Sequence, residues 1–296
     1  MNNPLHDDAG KELIFDDTPS IYDAEGNPRK LGALIPDLTL SASFPLFEDS
    51  AGVPLLTDDQ IKDYIVNGGK PRSGRVVFGD DWVRNQGQYG SCNGWASACA
   101  LERARVRRGL KRVQLSGSSV YSRVNGGRDN GSIPEDAMVA MQRYGAVPLE
   151  RGPANKIYAS QYTAADWAEG ARYRADECFT TQSRQALLTA VVLGFDAVVA
   201  VHAGSNYMRL DSEGVAYGDS GPGNHAVLYD DLVLTPSGIL AFDHAGSWGL
   251  NGYGVRGRAY HTWERHLAQP VRYFRFYLIR STKDDPQEPS PPQDNG

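Results

Sequence analysis

The sequence predicts an α+β chain of two lobes, a helical one followed by a strand-rich one. Over residues 75–165 apolar side chains recur at helical spacing; over 170–280 they gather in short runs punctuated by Gly, Pro, Asn and Asp. A cysteine stands at the start of the first long helical stretch and a histidine at the start of an apolar strand, so the two lobes each offer one reactive side chain. The 296 residues suit one two-lobed domain of about 200 residues with extensions at both ends.

Residues 1–70 carry scattered Pro, Gly and Asp with one helix, 58–66, capped by Thr57 or Asp58. Residues 71–280 form the main domain. Its helices are expected at 94–108, 118–124, 134–144 and 164–169, then at 182–193. Its strands are expected at 196–202, 214–217, 225–234, 238–242, 252–258 and 272–280. Residues 281–296 (STKDDPQEPSPPQDNG) are Pro-rich and acidic with nothing to bury, the composition of a disordered tail.

The net charge of −6 is mild and gives no footprint for nucleic acid or an anionic membrane. The basic run Arg103–Arg108 reads as the exposed end of a helix, where positive charge suits the dipole. No apolar run approaches the 18 or so residues of a membrane span. The polar N-terminus lacks a signal-peptide pattern, and Cys92, Cys99 and Cys178 allow at most one disulfide. Both fit a reducing compartment, the cytoplasm, or a virion or host cytoplasm if the chain is of phage origin. No Cys-x-x-Cys pair or zinc-type histidine spacing occurs, so neither a metal nor another cofactor is expected. Nothing in the sequence fixes an oligomeric state.

The chemistry concentrates in Asn85-Gln86-Gly87-Gln88-Tyr89-Gly90-Ser91-Cys92. A thiol at a helix start has its pKa lowered by the dipole, and a Gln amide just upstream can donate to an oxyanion. His225 follows 133 residues later in Asn224-His225-Ala226-Val227, spacing typical of a Cys–His enzyme of one well-known kind. With Asn130-Gly131-Ser132 before a helix, and with Ser247-Trp248-Gly249 and Asn251-Gly252-Tyr253, four blocks stand in one order.

In these four blocks the chain resembles the papain-like cysteine peptidases, a bacterial or phage-type member without the family disulfides. The resemblance implies a helical N-terminal lobe, an antiparallel β-barrel-like C-terminal lobe and an active-site cleft between them. It implies Cys92 as nucleophile, His225 as its ion-pair partner and Gln86 as oxyanion donor. It makes Gly131, Ser132 and Asn224 substrate-binding, with Trp248 shielding the histidine. The expected partner is a polypeptide substrate, with no nucleic acid and no membrane. Residues 1–70 become either a short pro-segment, with Lys70-Pro71-Arg72-Ser73 as a release point, or a plain extension packed on the surface.

The chain departs from the family at Tyr89 and Asn93, where a half-cystine and a tryptophan are usual, and in a short Trp248–Asn251 loop. It departs most at Gly246, where the family carries the asparagine that orients the histidine. Asp243 is the favoured replacement, because a carboxylate accepts from imidazolium; His244 is the alternative, and a Cys–His dyad needs neither. The functional readings are an active cysteine endopeptidase, a weak or inactive peptide-binding or structural module, and a cysteine amidase acting on peptidoglycan stem peptides. The motif order favours the papain layout over the last.

Overall fold

The computed structural model describes residues 21–38, 44–68, 74–280 and 282. The expected release point at Lys70–Ser73 lies outside them, as does the expected tail apart from Thr282.

The helical lobe is built around α4 (Cys92–Arg107), buried at nearly every residue from Cys92 to Arg105. A helix enclosed on all sides needs no amphipathic stripe. It packs on α5 (Gly117–Val124) and α6 (Pro134–Tyr144) on one side and on the sheet on the other. Ser116 caps α5 by accepting the Ser119 N–H at 3.0 Å, and Pro134 opens α6 where its missing N–H costs nothing. α7 (Ala164–Gly170) begins with a reciprocal Thr163–Asp166 capping box.

The second lobe is a six-stranded antiparallel sheet with α8 (Arg184–Val192) on its outer face. Its strands are β3 (Cys178–Thr181), β4 (Asp196–Val201), β5 (His225–Leu234), β6 (Leu240–Ala245), β7 (Arg258–His261) and β8 (Phe276–Ile279). Their order is β3-β8-β4-β5-β6-β7, an open strip among the described residues. One face, with Val198, Leu228, Ala245 and Tyr277, packs on α4; the other, with Val199, Val227, Tyr229 and Phe242, packs on α8. Two expected strands fall elsewhere. Residues 214–217 make only isolated bridges, Val215 to Tyr260 and Ala216 to Leu210, and 252–258 form the loop that enters β7.

The basic end of α4 is not a solvated face. Arg103 and Arg107 both pair with buried Asp196 on β4, and Arg103 also donates to the Asp230 carbonyl. Nearby, Arg84 grips Glu102 through two 2.8 Å hydrogen bonds. Asp230 is the extra residue of a β-bulge in β5. Its carboxylate accepts the Gly74 N–H (2.7 Å), the Trp82 indole N–H (2.9 Å) and the Arg258 guanidinium. Asp230→Ala should therefore destabilise the fold by about 3–5 kcal/mol, since it strands Arg258 and two N–H donors in the interior. Urea unfolding measures it, and a loss under about 1 kcal/mol would show that water reaches these groups.

The described residues of the N-terminal stretch, 21–38 and 44–68, are built into the molecule rather than laid on it. β1 (Ile21–Tyr22) and β2 (Pro28–Arg29) form a hairpin closed by Asp23, whose Oδ1 accepts the Glu25 and Asn27 N–H groups at 2.9 and 2.8 Å. α1 (Phe47–Ser50) inserts Phe47, fully buried, between Phe179 and Phe195 at ring distances of 5.9 and 5.3 Å. α2 (Asp58–Asn67) starts with a Thr57–Gln60 capping box and packs on α8. After the hairpin, residues 30–35 cross the groove between the lobes.

Candidate active site

Cys92 is the first residue of α4, where the unsatisfied N–H groups and the dipole favour a thiolate. His225 is the first residue of β5, and the next N–H along, that of Ala226, donates to Cys92 Sγ at 3.3 Å. The Cys92 thiol of one lobe thus lies against the start of β5 in the other, at the residue next to His225, which stands 133 residues on in the chain. Both are sealed from water, at 0% and 1% exposure. Burial pushes the thiol up to about 11, against the pull of the Ala226, Gly32 and Asn93 N–H groups. Burial alone pushes the imidazole down to about 3. In this closed form the pair is neutral thiol and neutral imidazole.

What covers the thiol is the strap of residues 30–35. Ala33 N–H donates to the Asn224 carbonyl and Leu34 N–H to the Ser132 carbonyl, while Ser132 N–H donates to Gly32 O at 2.9 Å. The strap lies between the lobes with one parallel bridge, Ala33 to Ser132. Gly32 fits because it has no side chain: a Cβ there would lie 1.9 Å from the Gly90 carbonyl oxygen. Gly131 (φ 88°) is needed for the same approach, its own Cβ position falling 2.7 Å from Gly32 O. The Asn93 amide, in place of the usual tryptophan, donates to Gly32 O at 3.3 Å and Ser132 Oγ at 3.0 Å.

Arg29 anchors the strap. It pairs with buried Asp23 and reaches Asn85 Oδ1 and Gly87 O at 2.9 Å and Trp248 O at 3.1 Å. Burial would raise the Asp23 carboxyl, but the Asn27 N–H and Arg29 outweigh it and hold the carboxyl below its usual range. Gln86, fully buried, accepts from Ser247 Oγ and donates to the Tyr89 carbonyl at 2.6 Å. Its amide also faces the Lys30 carbonyl at 3.5 Å, so a strap carbonyl lies where an oxyanion donor would point.

Trp248 stacks on His225 with ring centroids 4.6 Å apart. Asp243 is not brought to the imidazole. Successive β6 residues face opposite sides, and Asp243 faces α4, where its Oδ1 accepts Arg258 Nε at 2.9 Å. His244 faces the other way, with Tyr207 Oη 3.5 Å from its Nε2. Among the described residues, Nδ1 of His225 and Nδ1 of His244 are buried without a hydrogen-bond partner. Gly246 leaves the asparagine position without a side chain; a Cβ there would meet only ordinary contacts, 3.4 Å from Tyr253 and Gly257 O.

Behind His225 lies a cage the sequence did not disclose. Tyr207, Tyr229, Tyr253, His244, His261 and His266 are all buried. His261, on β7, holds the Tyr229 and Tyr253 hydroxyls on its two nitrogens at 2.9 Å each. His266, in a π-helical turn (Trp263–Leu267), stacks on it at 3.9 Å. These imidazoles stack instead of converging, and among the described residues no group of three His, Cys, Asp or Glu is placed to hold a metal. All three cysteines are free and buried, with burial pushing Cys99 and Cys178 up to about 12. No helix among the described residues is long and apolar enough to cross a membrane.

No protein-family profile and no curated protein matches the chain. Solved structures do. The chain is similar to a proCathepsin B from Trypanosoma congolense (TM-score 0.62, 14% identity, covering 95% of this chain and 93% of that one). It is similar to xylellain, a cysteine protease from Xylella fastidiosa (0.53, 19%, 90% and 95%). It is also similar to the proform of the ragweed pollen cysteine protease Amb a 11 (0.54, 21%, 67% of this chain), of which it spans 61%. With its helical lobe opening at Cys92 and its antiparallel sheet carrying His225 at the start of β5, the chain has the fold of the papain-like cysteine proteases.

Proposed function

We propose that the protein is a cysteine peptidase held latent by its own N-terminal strap. The observation that carries this reading is the strap itself, a length of polypeptide already paired on both sides across Cys92. A substrate backbone in the same groove would meet Ser132 and Asn224 in place of residues 32–34. Cys92 Sγ attacks the scissile carbonyl carbon, the C–N bond breaks, and His225 delivers the thiol's proton to the departing amine. Water, deprotonated by His225, then hydrolyses the thioester. The Gln86 amide and the Cys92 N–H stabilise the oxyanion in both halves. Two of the similar structures are pro-enzymes by name, which supports reading residues 21–68 as a pro-segment.

A second reading, a non-catalytic peptide-binding module, draws on Gly246 and the unpartnered His225 nitrogen. An Arg29→Ala chain separates them, because it strands buried Asp23 and weakens the strap's anchor. A peptidyl epoxide should then label Cys92, seen by mass spectrometry of its tryptic peptide, and Cys92→Ser should abolish both label and peptide hydrolysis. If Cys92 becomes accessible to a small alkylating agent yet takes no peptidyl label and cuts no peptide, the binding-module reading stands instead.

A further inference from the structure

We infer that the hollow beside Ser132 admits only methyl-sized side chains, that Phe274 sets this limit, and that the peptides this protein takes therefore carry Ala, Ser or Gly there. This deepens the peptidase reading and rests on it for the substrate, though not for the size of the hollow.

The strap serves as a cast of the groove. Its residues 32–34 are held by Ser132 on one side and Asn224 on the other, so the Ala33 side chain is aimed by backbone pairing from both lobes. That methyl group packs in a cluster of its own with Cys92, Ala200, Ala226 and Phe274, and Ile35 packs against the edge. Ala33 is 6% exposed and Phe274 is fully buried, so the hollow is filled.

Phe274 is fully buried and closely packed. Its ring reaches the backbone just before Asn224: a Cβ on Gly223 would sit 3.0 Å from Phe274 Cε2 and 2.8 Å from the Ala200 Cβ. The Phe274 N–H is tied to the Pro270 carbonyl at 3.0 Å, and Gln182 Nε2 reaches the Phe274 carbonyl at 3.3 Å. Ala200 and Ala226 sit on paired strands, directly opposite each other. A leucine in place of the Ala33 methyl group must therefore push a fixed ring or a sheet backbone, overpacking that costs about 1–3 kcal/mol, or roughly 5- to 150-fold in occupancy. Removing the ring should lift that limit.

The test has two arms on the full chain. In the first, alkylation of Cys92 by iodoacetamide reports strap release without any catalysis. Ala33→Leu should accelerate it at least about fivefold, and adding Phe274→Ala, or the milder Phe274→Leu, should return it towards the native rate. Unchanged alkylation in Ala33→Leu, or no rescue by either Phe274 variant, overturns the inference. In the second arm, Arg29→Ala is offered a positional-scanning peptide library. One position should be confined to Ala, Ser and Gly, and Phe274→Ala should raise the kcat/KM ratio of Leu to Ala at that position alone by at least tenfold. Turnover with no such position overturns the inference while sparing the peptidase reading. No turnover at all overturns the peptidase reading, and the first arm still decides the size of the hollow.

Discussion

Gly32→Ala should raise the reactivity of Cys92 by about 5- to 150-fold, the equivalent of about 1–3 kcal/mol of overpacking. The added Cβ falls 1.9 Å from the Gly90 oxygen and 2.5 Å from its carbonyl carbon. Both are backbone atoms in the loop that leads into α4, so no side chain can rotate to make room. The strap can relieve the clash only by lifting off Ser132 and Asn224, which exposes the thiol. As Cys92, Cys99 and Cys178 are all buried, an aromatic disulfide reagent should count close to no fast thiols in the native chain and one in the variant. If Gly32→Ala remains folded with no fast thiol, the strap does not guard the site.

The second large effect is a loss of stability in mild acid. Four imidazoles are buried and disfavour protonation: burial pushes His225 to about 3 and His266 to about 4, and holds His244 and His261 well below their usual range. A base whose folded pKa is depressed stabilises the native state above its unfolded pKa of about 6.5. That contribution drains away as pH falls below 6.5, because the unfolded chain takes up protons that the folded one refuses. Burial also raises Asp196, Glu102 and Asp243, which therefore take up protons at a higher pH in the folded chain than in the unfolded one and oppose the effect. The net uptake on unfolding should be about one to three protons, or about 1.4–4 kcal/mol per pH unit between pH 6.5 and 5. Urea midpoints across that range check it, and His266→Gln should flatten the slope by about one proton. Stability that is level or rising on acidification from 6.5 to 5 would falsify the cage as a set of neutral imidazoles.

The fold was legible because its elements are locally specified. The Gly-rich lead-in to Cys92, Pro134 at the head of a helix and the apolar run from His225 each state their structure within ten residues, and the boundaries of α6 and β5 match their patterns. The strap was not legible. Its pairing uses backbone groups, which leave no periodic signature, and the one informative residue, Gly32, looks like any turn glycine until Gly90 is beside it. The cage was hidden for a related reason. His244, His261 and His266 lie on separate stretches and become neighbours through the pairing of β6 with β7 and the turn that follows. Asp243 misled because proximity in sequence to Gly246 says nothing about which face of β6 a carboxylate takes. The basic run on α4 misled because charge counting assumes solvent, and Asp196 waits in the interior instead.

Those interior ion pairs carry a consequence for how the groove can open. Arg103 ties α4 to both β4 and β5, and Arg258 ties β7 to the Asp230 carboxylate that also receives Gly74 and Trp82 from the helical side. Swinging the lobes apart would pull several charges from their partners at once. The two walls therefore act as one stiff jaw of fixed gape, and among the described residues the ribbon from Lys30 to Ile35 can leave the groove without breaking that jaw.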